Sequence, residues 1–259
     1  MSILSNKVAL ITGSATGLGK RTAIELAKNG IDIVLNYVHS SESAKETSRF
    51  ISETYGVRSM AIQSDISLLE DVHKLVNHTH SVMGRIDILV HNAGPFIKEM
   101  KKMSEYTTEE WNSIINGNLT SVFYLSKEVF PLMRVNKWGR MITIGFDRVE
   151  TAPAWKFRSA YAAAKCGTAS LTKTLAIEEA ENGITVNMVC PGDIRNKFKE
   201  MNIEDVRGKS DLTNPVGRTG TGEDIARVIS FLCNEDSDFI TGSIISVTGG
   251  KDVLNKHNS

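Results

Sequence analysis

Tyr161 and Lys165 stand four residues apart in an alanine-rich run whose spacing predicts a helix over 159–181. At that interval two side chains share one helix face. A free phenol ionises at a pH of about 10, and a neighbouring positive charge favours the phenolate. A carbonyl that accepts a hydride becomes an alkoxide, and a phenol tuned in this way can supply its proton. Taken alone, the pair also suits an ordinary solvated helix. The second stretch with chemical potential is Thr12-Gly13-Ser14-Ala15-Thr16-Gly17-Leu18-Gly19. It follows an apolar run and opens a helix. Small residues let the backbone approach a pyrophosphate, and the helix start offers free N–H groups and partial positive charge. A bare glycine-rich run is also what a tight turn needs, but the strand–turn–helix context points to a dinucleotide.

For either stretch to act, the chain must bring both to one place. Apolar runs at 7–12, 31–37, 57–63, 85–91, 138–145, 184–189 and 243–248 predict strands. Helical spacing predicts helices over 17–29, 41–55, 67–83, 109–135, 159–181 and 222–233. Gly30, Gly56 and Gly183 are placed to end helices, and Thr107 with Glu110 to form a capping box at the start of the long one. Nearly wholly apolar strands alternating with helices indicate a parallel sheet covered on both faces. The expected fold class is α/β: a single-domain Rossmann fold over 1–259, a doubly wound parallel sheet of about seven strands with helices on both faces. No linker, repeat or low-complexity segment marks a second domain.

The G-x-x-x-G-x-G spacing resembles that of the short-chain dehydrogenase/reductase family. Further matches run in order along the chain. Asp65-Ile66 is similar to the family's adenine-contacting pair, Asn92-Ala93-Gly94 to its NAG motif and Asn118-Leu119 to its NL pair. Tyr161 with Lys165 matches YxxxK, Pro191-Gly192 the PG beside the nicotinamide, and Thr241-Gly242 with Gly249-Gly250 the closing segment. The resemblance implies a nicotinamide cofactor held by Gly13, Thr16, Gly17, Leu18, Gly19, Asp65, Ile66, Asn92, Ala93, Gly94, Tyr161, Lys165, Pro191, Gly192 and Ile194. It implies Tyr161 as proton donor, Lys165 on the nicotinamide ribose, and Asn118 holding a water that relays protons to Lys165. The layout is similar to 3-oxoacyl-carrier-protein reductases, a likeness shared by most of the family.

NADP(H) is expected over NAD(H). An NAD-preferring site places a carboxylate at the end of the second strand. Here that place reads Asn36-Tyr37-Val38-His39-Ser40-Ser41. His39, Ser40 and Ser41 suit a 2′-phosphate, with Tyr37 a further cofactor-binding residue, although serines there also serve as helix caps. Thr16 stands where NADP-dependent relatives often carry arginine.

The catalytic set has a gap. The family normally places a serine after the fifth strand to polarise the carbonyl, and this chain reads Gly145-Phe146-Asp147-Arg148 in a loop longer than is typical. Three readings follow. Asp147 or Thr151 replaces the serine on the substrate side, as an Asp near this place does in pteridine reductases. Alternatively Tyr161 works unaided and slowly. Or the protein is a weak or inactive NADP(H)-binding sensor or scaffold. Asn196 also replaces the threonine of the family's PGxxxT.

A small-molecule carbonyl substrate, a ketone, 3-oxoacyl or pteridine-like compound, is expected under a charged lid at about 193–214. Formal net charge is +0 and the pI about 7.0, which argues against nucleic acid or a polybasic membrane contact. The polar start, Met1 to Asn6, has no signal-peptide character, and no apolar run is long enough to span a membrane. Three scattered cysteines point away from a disulfide framework or zinc site and toward the cytoplasm. His73, His78 and His80 share a helix, but no spacing gathers three ligands, so no metal is expected. The long helices 109–135 and 159–181 carry additional apolar faces, which in related proteins form a four-helix interface; a homotetramer is expected. The tail, residues 251–259, reads as loose.

Overall fold

The computed structural model describes Leu4, residues 6–252 and Leu254. Most of the polar start and of the tail lies outside these residues. Seven parallel strands form one sheet in the order β3-β2-β1-β4-β5-β6-β7: β1 (Val8–Ile11), β2 (Asp32–Tyr37), β3 (Ser59–Gln63), β4 (Ile88–His91), β5 (Gly139–Ile144), β6 (Ile184–Pro191) and β7 (Ile244–Val247). The central strands β1, β4 and β5 are buried at every position, as a sheet covered on both faces requires.

The helices are α1 (Gly17–Lys28), α2 (Ser41–Tyr55), α3 (Leu69–Met83), α4 (Thr108–Ile115), α5 (Ser121–Val135), α6 (Ser159–Glu178) and α7 (Gly222–Leu232). On one face Leu26 of α1, Ile51 of α2 and Ile225 and Ile229 of α7 pack on Ile11, Ile33, Val90 and Ile142. On the other, Val72 and Leu75 of α3, Leu125 and Val129 of α5 and Ala176 of α6 pack on Leu10, Val34, Leu89 and Val186. Order reverses between β1 and β4, so a crevice opens at the C-terminal strand ends there.

Three expected helices differ by two or more residues at an end or in the middle, and that over 159–181 ends at Glu178. The helix over 67–83 starts at Leu69, because Asp65 Oδ1 accepts both the Ser67 N–H and its hydroxyl and holds that residue in a turn. The long helix over 109–135 is interrupted by a π-helical turn, Asn116–Thr120. The Thr107–Glu110 capping box is present.

Candidate active site

The glycine loop leaves β1 and is braced from β4. Asn92 Nδ2 donates to the carbonyls of Thr12 and Gly13 at 3.0 and 2.9 Å, while the N–H groups of Asn92 and Ala93 both reach Thr12 Oγ1 at 3.0 Å. This closeness is why glycine is needed. A Cβ on Gly13, already at φ +58°, would lie 2.9 Å from Ala93 Cβ, and one on Gly19 would lie 2.6 Å from Asn92 Nδ2. Sequence reasoning missed Asn36. Its Oδ1 accepts the Gly13 N–H at 3.3 Å and its Nδ2 donates to Ser64 O at 2.9 Å, joining β2, the loop and the end of β3. An amide inside an apolar strand was the available signal.

At the start of α1, Thr16 is extended and its side chain makes no cap. The Gly17 N–H instead donates to Glu200 Oε1 at 2.7 Å, and Lys20 Nζ lies 2.9 Å from Glu200 Oε2. A carboxylate thus already sits where the helix terminus favours an anion. Loop, braces and this stand-in carboxylate fit a pyrophosphate.

A cleft of about 1020 Å³ runs along the strand ends. Of the expected cofactor residues, Gly13, Thr16, Gly17 and Leu18 line it at one side, Tyr37, His39 and Ser40 at the end of β2, and Asn92, Ala93 and Gly94 across its floor. Tyr161, Pro191, Gly192 and Ile194 line the far side. Gly19, Ser41, Asp65, Ile66 and Lys165 are not among the lining residues. Gly19 is packed against Asn92. The Ser41 hydroxyl lies 3.3 Å from Tyr37 Oη, Asp65 holds its own turn, and Ile66 is in the core.

Behind the cleft stand Lys165 and Asn118. Lys165 is buried, its Nζ 5.7 Å from the centre of the Tyr161 ring. Burial pushes its ammonium down to about 8. Burial also pushes the Tyr161 phenol up to about 12, with Cys190 adding to the rise. Loss of solvent around the ring sets this direction, and Lys165 is not among its causes. Asn118 lies in the π turn, and its Nδ2 donates to Pro95 O at 2.9 Å and Ile114 O at 3.0 Å. Its Oδ1 is buried and has no partner among the described residues. A Cβ on Gly94 would collide with that oxygen and lie 3.5 Å from Lys165 Nζ. Gly94 therefore leaves open the space between the two groups. A buried acceptor of this kind requires a donor such as water.

Neither Asp147 nor Thr151 of the loop after β5 lines the cleft. A Cβ on Gly145 would meet Met188 Sδ at 2.5 Å and Cys190 Sγ at 2.7 Å, so the position is packed for glycine. Asp147 is buried and does not line the cleft. Its carboxylate faces Ser246 Oγ at 3.4 Å and Arg148 Nε at 3.6 Å, which corrects its expected place on the substrate side. Thr151 turns its hydroxyl to Arg148 O at 2.9 Å. The loop instead brings Phe146 and Trp155 against Tyr161. No hydrogen bond engages Tyr161 Oη among the described residues.

Part of the segment expected as a lid packs on the body. Ile203 and Val206 are buried, the Ile203 N–H reaches Glu223 Oε2 at 2.6 Å, and Arg195 pairs with Asp193 at 2.6 Å. Of the tail, Asp252 pairs with Arg148 at 2.5 Å and Leu254 packs near Phe146, so these two residues are docked rather than loose.

Comparisons with known proteins agree with this geometry. The family described as enoyl-(acyl carrier protein) reductase, a short-chain dehydrogenase/reductase group, matches residues 13–252. A provisionally named oxidoreductase of Bacillus subtilis, YtkK, is 46% identical over 97% of this chain and 98% of its own. The 3-oxoacyl-[acyl-carrier-protein] reductase FabG of Buchnera aphidicola is 35% identical over 95% of this chain and 97% of its own. A solved structure from Bacillus thuringiensis, provisionally described as a 3-oxoacyl-reductase, is 49% identical, with a TM-score of 0.88 over 96% of this chain and 99% of that one.

Proposed function

The chain belongs to the short-chain dehydrogenase/reductase family and is an oxidoreductase acting on CH–OH groups with a nicotinamide cofactor; from that premise we propose that it reduces a carbonyl compound with NADPH, Tyr161 being the proton donor. When bound, NADPH supplies the hydride and leaves as NADP⁺. The carbonyl carbon receives that hydride, its π pair moves to oxygen, and Tyr161 Oη passes its proton to that oxygen. Lys165 then returns a proton to the phenolate and is itself recharged from the space beside Gly94, where Asn118 Oδ1 orients a water. The observation carrying this reading is the line Tyr161, Lys165, Asn118: a phenol hydroxyl unengaged at the cleft, a buried ammonium behind it, and a buried orphan acceptor beyond. A protein that only senses the cofactor has no use for such a line.

NADP(H) is favoured by the end of β2. Ser40 precedes α2 without capping it through its side chain, so its hydroxyl is available to a 2′-phosphate beside His39. Asp193, on the far side, is the one carboxylate among the described lining residues. The proposed assembly is a homotetramer in the cytoplasm, supported by exposed Phe123 on α5 and Ile177 on α6 and by three cysteines without disulfides among the described residues.

The test is cofactor consumption with activated ketones, using NADPH and NADH in parallel. Turnover with NADPH at roughly tenfold or higher kcat/KM is expected, an energy of about 1.4 kcal/mol. Better turnover with NADH refutes the cofactor assignment. Cofactor binding without turnover of any carbonyl refutes the reductase.

A further inference from the structure

The phenol that carries the proposed chemistry stands among aromatic rings from two segments. Phe96, from the loop after β4, meets Tyr161 edge to face at 5.2 Å and 88°. Trp155, from the loop after β5, meets it at 6.0 Å and 77°, and Phe146 lies 5.0 Å from Trp155 and 6.4 Å from Tyr161. Phe96 keeps 45% of its surface exposed and faces the cleft, with Trp155 and Phe146 also among the lining residues. An apolar ring left open at a cleft wall is a surface for another flat group.

The chain holds these rings in place by costly means. Arg148, Ala152 and Phe157 all have positive φ, at 59°, 48° and 65°, in one loop without a glycine at those positions. Non-glycine residues adopt that region only where their surroundings over-determine it. Arg158 ties the two segments together. Its guanidinium lies 4.5 Å over the Phe96 ring and donates to Glu99 O at 2.9 Å and Lys98 O at 3.3 Å. Arg148 is held by Asp252, and Leu254 packs by Phe146.

Geometry also explains why rings are needed. With glycine at 145 and the Asp147 carboxylate turned away, the position after β5 adds no second hydroxyl or carboxyl beside Tyr161 Oη. One hydrogen bond lets a carbonyl pivot. A flat group stacked on the walls stops the pivot without a second donor.

We infer that the substrate is an aromatic carbonyl compound, its ring seated against Phe96 and Trp155 so that its C=O meets Tyr161 Oη. This rests on the reductase reading above. A linear 3-oxoacyl chain presents no flat face to such walls.

The experiment pairs an aryl ketone with its cyclohexyl counterpart in two arms: kcat/KM for NADPH consumption, and calorimetric affinity of the NADP⁺-loaded protein for the two corresponding alcohols. The native protein is expected to favour the aryl member by roughly five- to tenfold in affinity. That ratio falls to about one in Phe96→Leu and in Trp155→Leu, with circular dichroism confirming that each variant is folded. Phe96 is a half-exposed side chain, so its leucine variant keeps the fold. No ring preference in the native binding arm, or a preference that survives both substitutions, overturns the inference. A ring preference in binding without turnover of either ketone supports the inference while refuting the reductase reading.

Discussion

Lys165 is held by α6 with its ammonium out of water, and burial pushes it down to about 8. In the proposed reaction a charged Lys165 is the form that recharges Tyr161, and it is lost as pH rises through that value. Reduction is therefore predicted to fall in kcat/KM above a pH of about 8, and Lys165→Arg, which stays charged, moves any residual activity's fall upward. A profile flat across that range contradicts the role. Glu200 occupies the Gly17 N–H, so it competes with a phosphate for the same donor. Glu200→Gln is predicted to tighten NADP(H) binding by roughly two- to fivefold, the equivalent of about 0.3–1 kcal/mol, read by cofactor fluorescence titration. Unchanged affinity refutes that competition. Tyr161, Lys165 and the glycine loop were legible because their chemistry is carried by residues a few positions apart. Glu200 and Asn36 were not, since their bonds to Gly17 and Gly13 span 183 and 23 residues. Asp147 misled because its direction is set by a loop with three left-handed residues, which spacing does not reveal.

At the scale of elements, the site depends on how β4, β5 and the π turn pack. His91 ends β4, is buried, and faces Ser121 Oγ of α5 at 3.1 Å. Burial, with the Lys165 charge adding to it, pushes its imidazole down to about 3. The folded state thus excludes a proton that the unfolded chain takes up near its ordinary value of 6.5. Stability is predicted to fall as pH drops below about 6.5, the loss growing until the folded value is reached. Urea unfolding at a series of pH values measures it, and His91→Gln should flatten that slope. Gly145 joins β5 to the aromatic loop. Gly145→Ser is predicted to destabilise by about 1–3 kcal/mol through collision with Met188 and Cys190, and Cys190→Ala to recover part of the loss. Full stability in the single variant contradicts the packing account. Strands and helices were readable because apolar runs and helical spacing are local patterns. The π turn was not, because it follows from Asn118 and Gly117 fitting against Pro95, a contact from outside the helix.

Over the whole molecule the charges cancel, yet the cleft is lined by Lys98, Arg158, Arg195 and Lys199. Net charge conceals this because a sum carries no positions. The same holds for assembly: Phe123, Val135 and Ile177 are exposed apolar side chains on α5 and α6 that the monomer's core does not use. Phe123→Lys with Ile177→Lys is predicted to shift the proposed homotetramer toward smaller species in light scattering; a native protein that runs as a 28.5 kDa species refutes the tetramer. The central claim is proton donation by Tyr161 to a reduced carbonyl. Single-turnover mixing of the NADPH-loaded protein with an activated ketone tests it most directly, in the native chain and in Tyr161→Phe. The native protein is expected to oxidise its bound NADPH, and the variant still to bind NADPH but to oxidise it slower by about 100-fold or more. Equal rates in the two proteins contradict it.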